Sequence, residues 1–327
     1  MVSFEELQKL INDEIRSQRL KLTGQPPPEL YAPIDYSLDM GGKRLRPVLL
    51  LMAYNLFSDE IEKALPAALA LEIFHNFTLL HDDIMDKANM RRNKPTVHQK
   101  FSENSAILSG DAMAFLSYHY LMKSSSDQLF EVTRLFTETA LKVCEGQQYD
   151  MDFENRQDVT EGEYLEMIRL KTAVLLACSL KAGALLASAS PENARLLYDY
   201  GINMGLAFQL QDDLLDTFGN QEKFGKKIGG DIVANKKTFL LIKALEEASG
   251  NQKKELQEWL GKKEFNDGEK IETISAIFRD LNIPKIAEDK IDFYFTTASK
   301  ILNDLPVDEP KKGSLKRLSK NMLKRNN

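Results

Sequence analysis

Two acidic clusters of identical spacing are the residues whose types most directly suggest chemistry in this chain. The first contains Asp82, Asp83 and Asp86 in "HDDIMD", and the same D-D-x-x-D spacing returns at residues 212–216 in "FQLQDDLLD". Each cluster ends an apolar run with helical spacing, and positions i and i+4 of a helix share a face. Three carboxylates in one turn repel one another, so a single copy indicates a solvated acidic face. Two copies indicate bound cations.

The ligand type of these clusters narrows the choice of cation. Neither cluster has His or Cys partners at a fixed spacing, and carboxylate oxygens suit hard ions such as Mg²⁺ or Mn²⁺. Mg²⁺ typically takes one or two protein carboxylates and completes its shell with water and substrate phosphates. The sequence therefore predicts a phosphorylated substrate that is bridged to the protein through the metal.

Basic residues accompany both clusters. The motif "GGKRLRP" places Lys43, Arg44 and Arg46 beside two glycines at the start of an apolar helix, which favours a phosphate site. Taken alone, this motif fits a surface loop equally well. Arg91 and Arg92 follow the first cluster. Four lysines follow the second cluster: Lys226, Lys227, Lys236 and Lys237.

The segment "GNQEKFGKK" resembles a nucleotide-binding P-loop but does not satisfy its pattern. Five residues separate its glycines instead of four, and Lys227 stands where Ser or Thr is needed. The predicted context is also helix to helix, not strand to helix. We therefore exclude a P-loop.

The elements that must position these side chains are helices. Apolar residues recur at three- and four-residue steps through most of the chain, whereas alternating strand patterns and Asn-Gly hairpin signals are missing. The breaks between helical runs are short, and Pro66 falls where a first helical turn tolerates proline. We predict an all-α fold, a single large helical bundle that forms one domain over residues 1–327.

Composition excludes several other classes of protein. The net charge of −6 argues against a nucleic-acid binder, and no apolar run is long enough for a membrane span. The N-terminal segment is a charged amphipathic helix and not a signal peptide. Cys144 and Cys178 are predicted to be buried thiols in a reducing compartment, so we expect a cytoplasmic protein. The basic last seventeen residues are either a solvated end or a segment near an anionic substrate or membrane surface.

Across about residues 35–240 the chain resembles the trans-isoprenyl diphosphate synthases, also called polyprenyl synthetases. Five motifs occur in the order of that family: GGKRLRP, HDDIMD followed by RR, GQQYD, KT and FQLQDDLLD, with GKKIGGD behind them. The resemblance implies an isoprenoid-synthase bundle around a central substrate cavity, and a homodimer. It also implies head-to-tail condensation of isopentenyl diphosphate with dimethylallyl, geranyl or farnesyl diphosphate.

The resemblance also implies roles for individual residues. The metal ligands, for three Mg²⁺ ions with Mn²⁺ as an alternative, would be Asp82, Asp86 and Asp212, supported by Asp83, Asp213 and Asp216. Isopentenyl diphosphate would be held by Lys43, Arg46, His75 and Arg92. The allylic diphosphate would be contacted by Arg91, Lys171, Lys236 and either Lys226 or Lys227. The reaction cavity would be lined by Gln147 and Asp150, and the developing cation would be faced by Thr172 and Gln209.

These residue types suit the implied reaction. Breaking a C–O bond to diphosphate leaves a carbocation and a highly charged leaving group, which metal ions and Lys or Arg stabilise. The cation needs a cavity that excludes water. No His or carboxylate is evidently placed as a base, so the resemblance implies that the released diphosphate accepts the proton.

Product length in the implied family depends on side chains just before the first cluster. Phe77 and Thr78 precede Asp82 by five and four residues, with Phe74 one turn further away. On an ideal helix only Thr78 shares the face of Asp82, so the role of Phe77 rests on the resemblance. A single aromatic at Phe77 resembles archaeal-type geranylgeranyl diphosphate synthases. We expect a twenty-carbon product, with a fifteen-carbon product as the alternative and a longer one less favoured.

Two other functions were weighed. A class I terpene cyclase or squalene-type synthase also uses an aspartate-rich turn, but it usually lacks GGKRLRP and a second D-D-x-x-D. A non-catalytic helical subunit of a synthase would have lost aspartates or the basic loop. This chain keeps all of these features.

Overall fold

The computed structural model of the chain describes residues 2–219 and 228–323. Most of these residues are helical and the strands are very short, which confirms the predicted all-α class. The helices are α1 (Phe4–Leu22), α2 (Pro28–Asp39), α3 (Leu45–Asn55), α4 (Leu65–Met85), α5 (Val97–Lys100), α6 (Glu103–Leu121), α7 (Leu129–Glu154), α8 (Glu161–Ile168), α9 (Val174–Leu186), α10 (Pro191–Phe218), α11 (Gly230–Val233), α12 (Phe239–Glu247), α13 (Gly250–Gly261), α14 (Asp267–Asp280), α15 (Ile283–Asp304) and α16 (Glu309–Leu323). A 3₁₀ turn covers Ile61–Ala64 and a π-helical turn covers Arg169–Ala173.

Local sequence signals account for several helix starts. The N-terminal helix α1 begins with a capping box, in which Ser3 Oγ accepts from the Glu6 amide and Glu6 Oε2 accepts from the Ser3 amide. Thr160 and Glu163 form the same box at α8. Pro66 is the second residue of α4, where its missing N–H is not needed.

A short hairpin follows α4 and was not predicted. Strands β1 (Met90–Arg91) and β2 (Lys94–Pro95) pair antiparallel, and the loop between them is Arg92-Asn93. Both loop residues have positive φ, 52° and 60°, as a type I′ turn requires. The hairpin carries no Asn-Gly signal in the sequence, because Arg occupies a position where Asn or Gly is usual. Because of this turn, the neighbouring side chains of Arg91 and Arg92 contact different partners.

The described residues form two compact units. The first comprises segments within 1–137, 178–197 and 306–315, and the second comprises segments within 138–177, 198–305 and 316–327. In the first unit, α4 packs along α3 and α6. The second unit has a core that includes Leu210, Phe239, Phe278 and Ile283. A single domain over residues 1–327 stays a prediction.

Three further expectations can be compared with the structure. Cys178 is buried as predicted, but Cys144 is exposed, and both are free thiols. Residues 311–323 of the basic tail continue α16, where Lys312 is buried and its Nζ lies 3.1 Å from Glu309 Oε1. Among the helices of the described residues, none has the length and apolar character that crossing a membrane would require.

Candidate active site

The first aspartate cluster lies at the C-terminal end of α4. The helix stops in a Schellman arrangement, in which Lys87 has φ 51° and the amides of Lys87 and Ala88 donate to the carbonyls of Ile84 and Asp83. Asp86 is the C-cap residue. This ending leaves Asp82 half-buried and Asp86 exposed, while Asp83 is buried.

Asp83 is the buried member of the cluster, and Arg91 of the hairpin binds it closely. Arg91 Nε donates to both Asp83 carboxylate oxygens at 2.9 and 2.8 Å. Burial raises the pKa of Asp83, against the opposing effect of the Arg91 charge. Arg91 Nη2 also lies 3.6 Å from Asp82 Oδ2. Arg91 therefore lies against the cluster itself, and Asp83 is engaged by protein.

The glycine pair of GGKRLRP lies against Arg92, the second arginine of the hairpin. Gly41 and Gly42 have φ of 76° and 135°, which other residues rarely adopt. A Cβ atom on Gly42 would lie only 2.8 Å from the Arg92 guanidinium, and Arg92 Nη1 donates to the Gly41 carbonyl. Both glycines thus supply the positive φ of this loop, and Gly42 also leaves the space that the Arg92 guanidinium occupies.

The three basic residues of the motif have different roles in the structure. Arg44 is buried at the N-cap of α3 and donates to Glu72 Oε1 at 2.5 Å and to the Leu38 carbonyl. Lys43 is exposed. Arg46 Nη1 lies 2.9 Å from His75 Nε2 on α4. Arg44 thus supports the fold, whereas Arg46 belongs to a different, histidine-containing cluster.

His75 is neutral in this environment. Burial is the main cause that lowers its pKa well below the ordinary value, and the charges of Arg46 and Arg92 add to it. A neutral Nε2 without a proton can accept the Arg46 N–H. Burial likewise lowers the pKa of Arg46 to about 10. Arg46 and Arg92 thus form a preformed cationic corner, which suits a multiply charged anion.

The three predicted chain-length residues lie on α4 before the cluster. Phe74 is buried and its ring centroid lies 5.4 Å from that of Phe77 and 5.2 Å from that of Phe136. Thr78 is half-buried and its hydroxyl donates to the His75 carbonyl. Phe136 was not predicted, since nothing local to α7 indicates that its ring reaches α4.

The second aspartate cluster lies near the end of α10, in the second unit. Asp213 is buried and accepts from Tyr164 Oη and from Gln209 Nε2, the latter at 3.1 Å. Burial raises the pKa of Asp213 to about 8, and the negative charge of Asp231 adds to the shift. Asp216 accepts the Asp231 amide at 2.9 Å. Tyr164 has no motif to mark it and was missed.

Asp212 remains half-buried at the same end of α10. Its burial resembles that of Asp82 in the first cluster, whereas Asp213 matches Asp83 in being buried and engaged by a neighbouring side chain. The second cluster therefore repeats the division of the first one between a buried, protein-bound carboxylate and a more accessible one.

The other predicted polar residues of this unit meet at the π-helical turn. Lys171 Nζ forms an ion pair with Asp150 at 2.6 Å, and Thr172 Oγ1 donates to Gln209 Oε1 at 3.0 Å. A cavity of about 100 Å³ is lined by residues that include Asp150, Lys171, Thr172, Gln209, Asp213, Asp231 and Lys236. Gln147 is half-buried on α7. Lys226 and Lys227 lie outside the described residues.

The accessible carboxylates fit the predicted metal. Within residues 2–219 and 228–323, no three His, Cys, Asp or Glu side chains are grouped so that they could hold an ion. Mg²⁺ does not need such a cage, because it commonly binds one or two carboxylates with water and substrate phosphates. Asp82, Asp86 and Asp212 offer oxygen donors of this kind.

Comparison with known proteins agrees with these motifs. The family model described as polyprenyl synthetase matches residues 27–278. A geranylgeranyl diphosphate synthase of Saccharolobus solfataricus is 42% identical over 271 residues, which cover 82% of this chain and 81% of that protein. A geranylfarnesyl diphosphate synthase of Natronomonas pharaonis is 39% identical over 258 residues, with 73% and 74% covered.

A solved structure extends the similarity over the whole chain. The crystal structure of a geranylgeranyl pyrophosphate synthase matches with a TM-score of 0.94 at 44% identity and covers 100% of both chains. Family model, sequence relatives and solved structure all agree with the motif order read from the sequence. The chain therefore belongs to the polyprenyl synthetase family, an all-helical family of prenyltransferases.

Proposed function

We propose that this protein condenses isopentenyl diphosphate with an allylic diphosphate, head to tail and in trans, to form geranylgeranyl (C20) diphosphate. The observation that carries the proposal is the cationic corner of Arg46 and Arg92 beside neutral His75. Its arginines have other partners than Arg91, which binds Asp83, since Arg46 contacts His75 and Arg92 contacts the Gly41 carbonyl, so the corner can serve a second diphosphate. A terpene cyclase binds only one diphosphate substrate and has no need for such a corner.

The metal and the lysines would act on the allylic substrate. Three Mg²⁺ ions held by Asp82, Asp86 and Asp212 would stabilise the negative charge of the leaving diphosphate. Arg91, Lys171 and Lys236 would contact the same group, with Lys226 or Lys227. Lys171 is held by its ion pair with Asp150, so its ammonium has a defined position before substrate binds.

Thr172 and Gln209 would face the developing carbocation. The Thr172 hydroxyl donates its only proton to Gln209 Oε1, and Gln209 in turn donates to Asp213. Because that proton is already used, the lone pairs of Thr172 Oγ1 remain to face positive charge. This chain of hydrogen bonds fixes the orientation of Thr172 Oγ1 before the reaction, so that little reorganisation is needed when the positive charge develops.

The product length is proposed from Phe74, Phe77 and Thr78. Phe77 packs against both Phe74 and the His81 ring, whose centroid lies 4.9 Å away, so its ring has a fixed position. A fixed aromatic ring near the aspartates would stop chain growth after a short product. The names of relatives include both geranylgeranyl and geranylfarnesyl synthases, so the length must be measured.

Product analysis tests this proposal. The purified protein is given isopentenyl and farnesyl diphosphates with Mg²⁺, and a twenty-carbon product that needs both substrates is expected. A main product of twenty-five carbons or more, or diphosphate release without isopentenyl diphosphate, would contradict it. Phe77→Ser should lengthen the product by at least one isoprene unit, whereas the surface variant Phe101→Ser should not. Chelation of the metal should stop turnover.

A further inference from the structure

Lys270 on α14 is a charged residue that none of the steps above uses. Its side chain is fully buried, and its Nζ donates to the Val233 carbonyl at 3.1 Å and to Asn235 Oδ1 at 2.7 Å. The ammonium also lies 4.1 Å from the centre of the Phe265 ring. Both hydrogen-bond acceptors are neutral oxygens. A fully buried lysine is rare, because taking its charge out of water is costly.

The two acceptors belong to a tightly bent segment. Asn235 has φ 55°, its side-chain amide donates to the Leu260 carbonyl, and its own carbonyl accepts from Lys237 Nζ. The Lys236 amide donates to the Asp231 carbonyl at 2.9 Å. Residues 231–238, the lysine turn, therefore have a defined shape, and the side chains that anchor it include Asp216, at the Asp231 amide, and Lys270.

The lysine turn reaches the cavity at the π-helical turn. Asp231, Lys236, Lys237 and Thr238 all line that cavity together with Lys171 and Thr172. Lys270 does not line it. Any effect of Lys270 on a bound diphosphate must therefore pass through the lysine turn.

Hydrophobic packing of α14 does not explain why Lys270 carries a charge. Ile274, Ile277 and Phe278 already bury this helix in the core of the second unit. An apolar side chain at position 270 would add burial without the desolvation cost, and such replacements of buried charges are often neutral or stabilising. The two directional hydrogen bonds are what an apolar side chain cannot supply.

We propose that Lys270 is a positioning residue, which holds the lysine turn in the shape that presents Lys236 to the allylic diphosphate. The proposal rests on the proposed function, which assigns Lys236 to that diphosphate. It predicts that loss of the Lys270 hydrogen bonds weakens the affinity for the allylic diphosphate but not the affinity for isopentenyl diphosphate.

Three variants test this role. Lys270→Met removes both hydrogen bonds while keeping the length and burial of the side chain. Asn235→Gly removes one acceptor of Lys270, together with the Asn235 hydrogen bond to the Leu260 carbonyl, and suits the positive φ at that position. Lys290→Met is the control, since Lys290 is a half-buried lysine of the same unit that pairs with Glu161. Binding of a non-ionisable thiolo analogue of farnesyl diphosphate with Mg²⁺ is measured by calorimetry, beside steady-state kinetics and thermal unfolding.

We expect Lys270→Met and Asn235→Gly each to weaken analogue binding and raise the allylic KM about tenfold, with the isopentenyl KM and kcat within about threefold. The double variant should bind the analogue less weakly than the sum of the two single losses predicts, because both changes remove the Lys270–Asn235 hydrogen bond. Lys290→Met should leave these constants unchanged.

Two results would overturn the proposal: unchanged analogue affinity in both variants, or an equal loss for both substrates. If Lys270→Met does not fold, the Asn235→Gly result decides. Analogue binding needs no turnover, so a wild-type product of another length would refute the proposed function without deciding the role of Lys270.

Discussion

His75 and Arg46 share one hydrogen bond, and its direction defines the charge state of the histidine. Arg46 must donate, so His75 Nε2 accepts and the ring is neutral. A lone histidine on an apolar helix is usually a core residue. Here its distance of seven residues from Asp82 indicated a shared face, and the structure adds the arginine that explains why the ring is neutral.

The lowered pKa of His75 predicts a pH-dependent stability. The unfolded chain protonates this histidine near pH 6.5, whereas the native chain does so only at lower pH. As the pH falls below 6.5, the unfolded state binds the extra proton and the free energy of unfolding decreases by up to about 1.4 kcal/mol per pH unit. Asp213, whose pKa is raised to about 8, contributes a slope of the opposite sign over the same range. The contribution of His75 is therefore measured as the difference in denaturant unfolding between the wild type and a His75 variant from pH 7.5 to 5.

Two variants isolate the histidine in that measurement. His75→Gln should reduce the slope below pH 6.5, while His119→Gln, at an exposed position, should keep the wild-type slope. Identical slopes in the wild type and in His75→Gln would show that His75 titrates normally in the native protein.

At the scale of elements, the π-helical turn Arg169–Ala173 decides where Lys171 and Thr172 point. Such turns are rare interruptions of α-helices and frequently lie at functional sites. Helix α7 packs against it so closely that a Cβ atom on Gly146 would collide with the backbone of Leu170 and Lys171. Gly146 therefore permits the close approach that brings Asp150 of α7 to Lys171.

Gly146→Ala should disturb both stability and activity. The added methyl meets backbone, which cannot move aside as a side-chain tip can, so we expect a loss of about 1–3 kcal/mol in unfolding free energy and a fall in kcat/KM. Gly162→Ala on α8 is the control, because a Cβ atom there would lie 4.0 Å from Thr160 Oγ1 and alanine favours helix. Equal melting temperatures for Gly146→Ala and the wild type would contradict the close packing.

At the scale of the whole molecule, an exposed apolar stripe supports the predicted homodimer. Leu108, Phe115 and Met122 follow one another at seven-residue spacing along α6 and its C-cap, so they share a helix face. Their exposed fractions are 59%, 77% and 61%. A stripe of large apolar side chains on one face is typical of a helix that packs against another protein surface. We propose a second copy of this chain as the partner.

Phe115→Glu should weaken that dimer. Burying an unpaired carboxylate in an apolar interface is unfavourable, so the variant should be monomeric at micromolar concentration in light scattering coupled to gel filtration. Phe293→Glu is the matched control, since Phe293 on α15 is 60% exposed and lies outside the stripe. A wild-type monomer, or a Phe115→Glu dimer as stable as the wild type, would contradict the proposed partner surface.

The sequence by itself determined the helical class, the type of metal ligand and the family. These follow from residue identity and local spacing: helical periodicity marks the helices, and two D-D-x-x-D clusters specify oxygen donors. It also marked Arg91 and Arg92, but it could not distinguish their partners, because that depends on a type I′ turn formed without glycine.

Only the tertiary structure decided which of the marked residues support the fold and which stay accessible. Arg44 pairs with Glu72, Asp213 with Tyr164, and Lys270 with the lysine turn, each across a long stretch of chain. No local sequence pattern indicates these partners, because burial and hydrogen bonding depend on how helices that are far apart in sequence pack together. The same packing leaves Asp82 and Asp86 more accessible than Asp83, although all three lie in one motif.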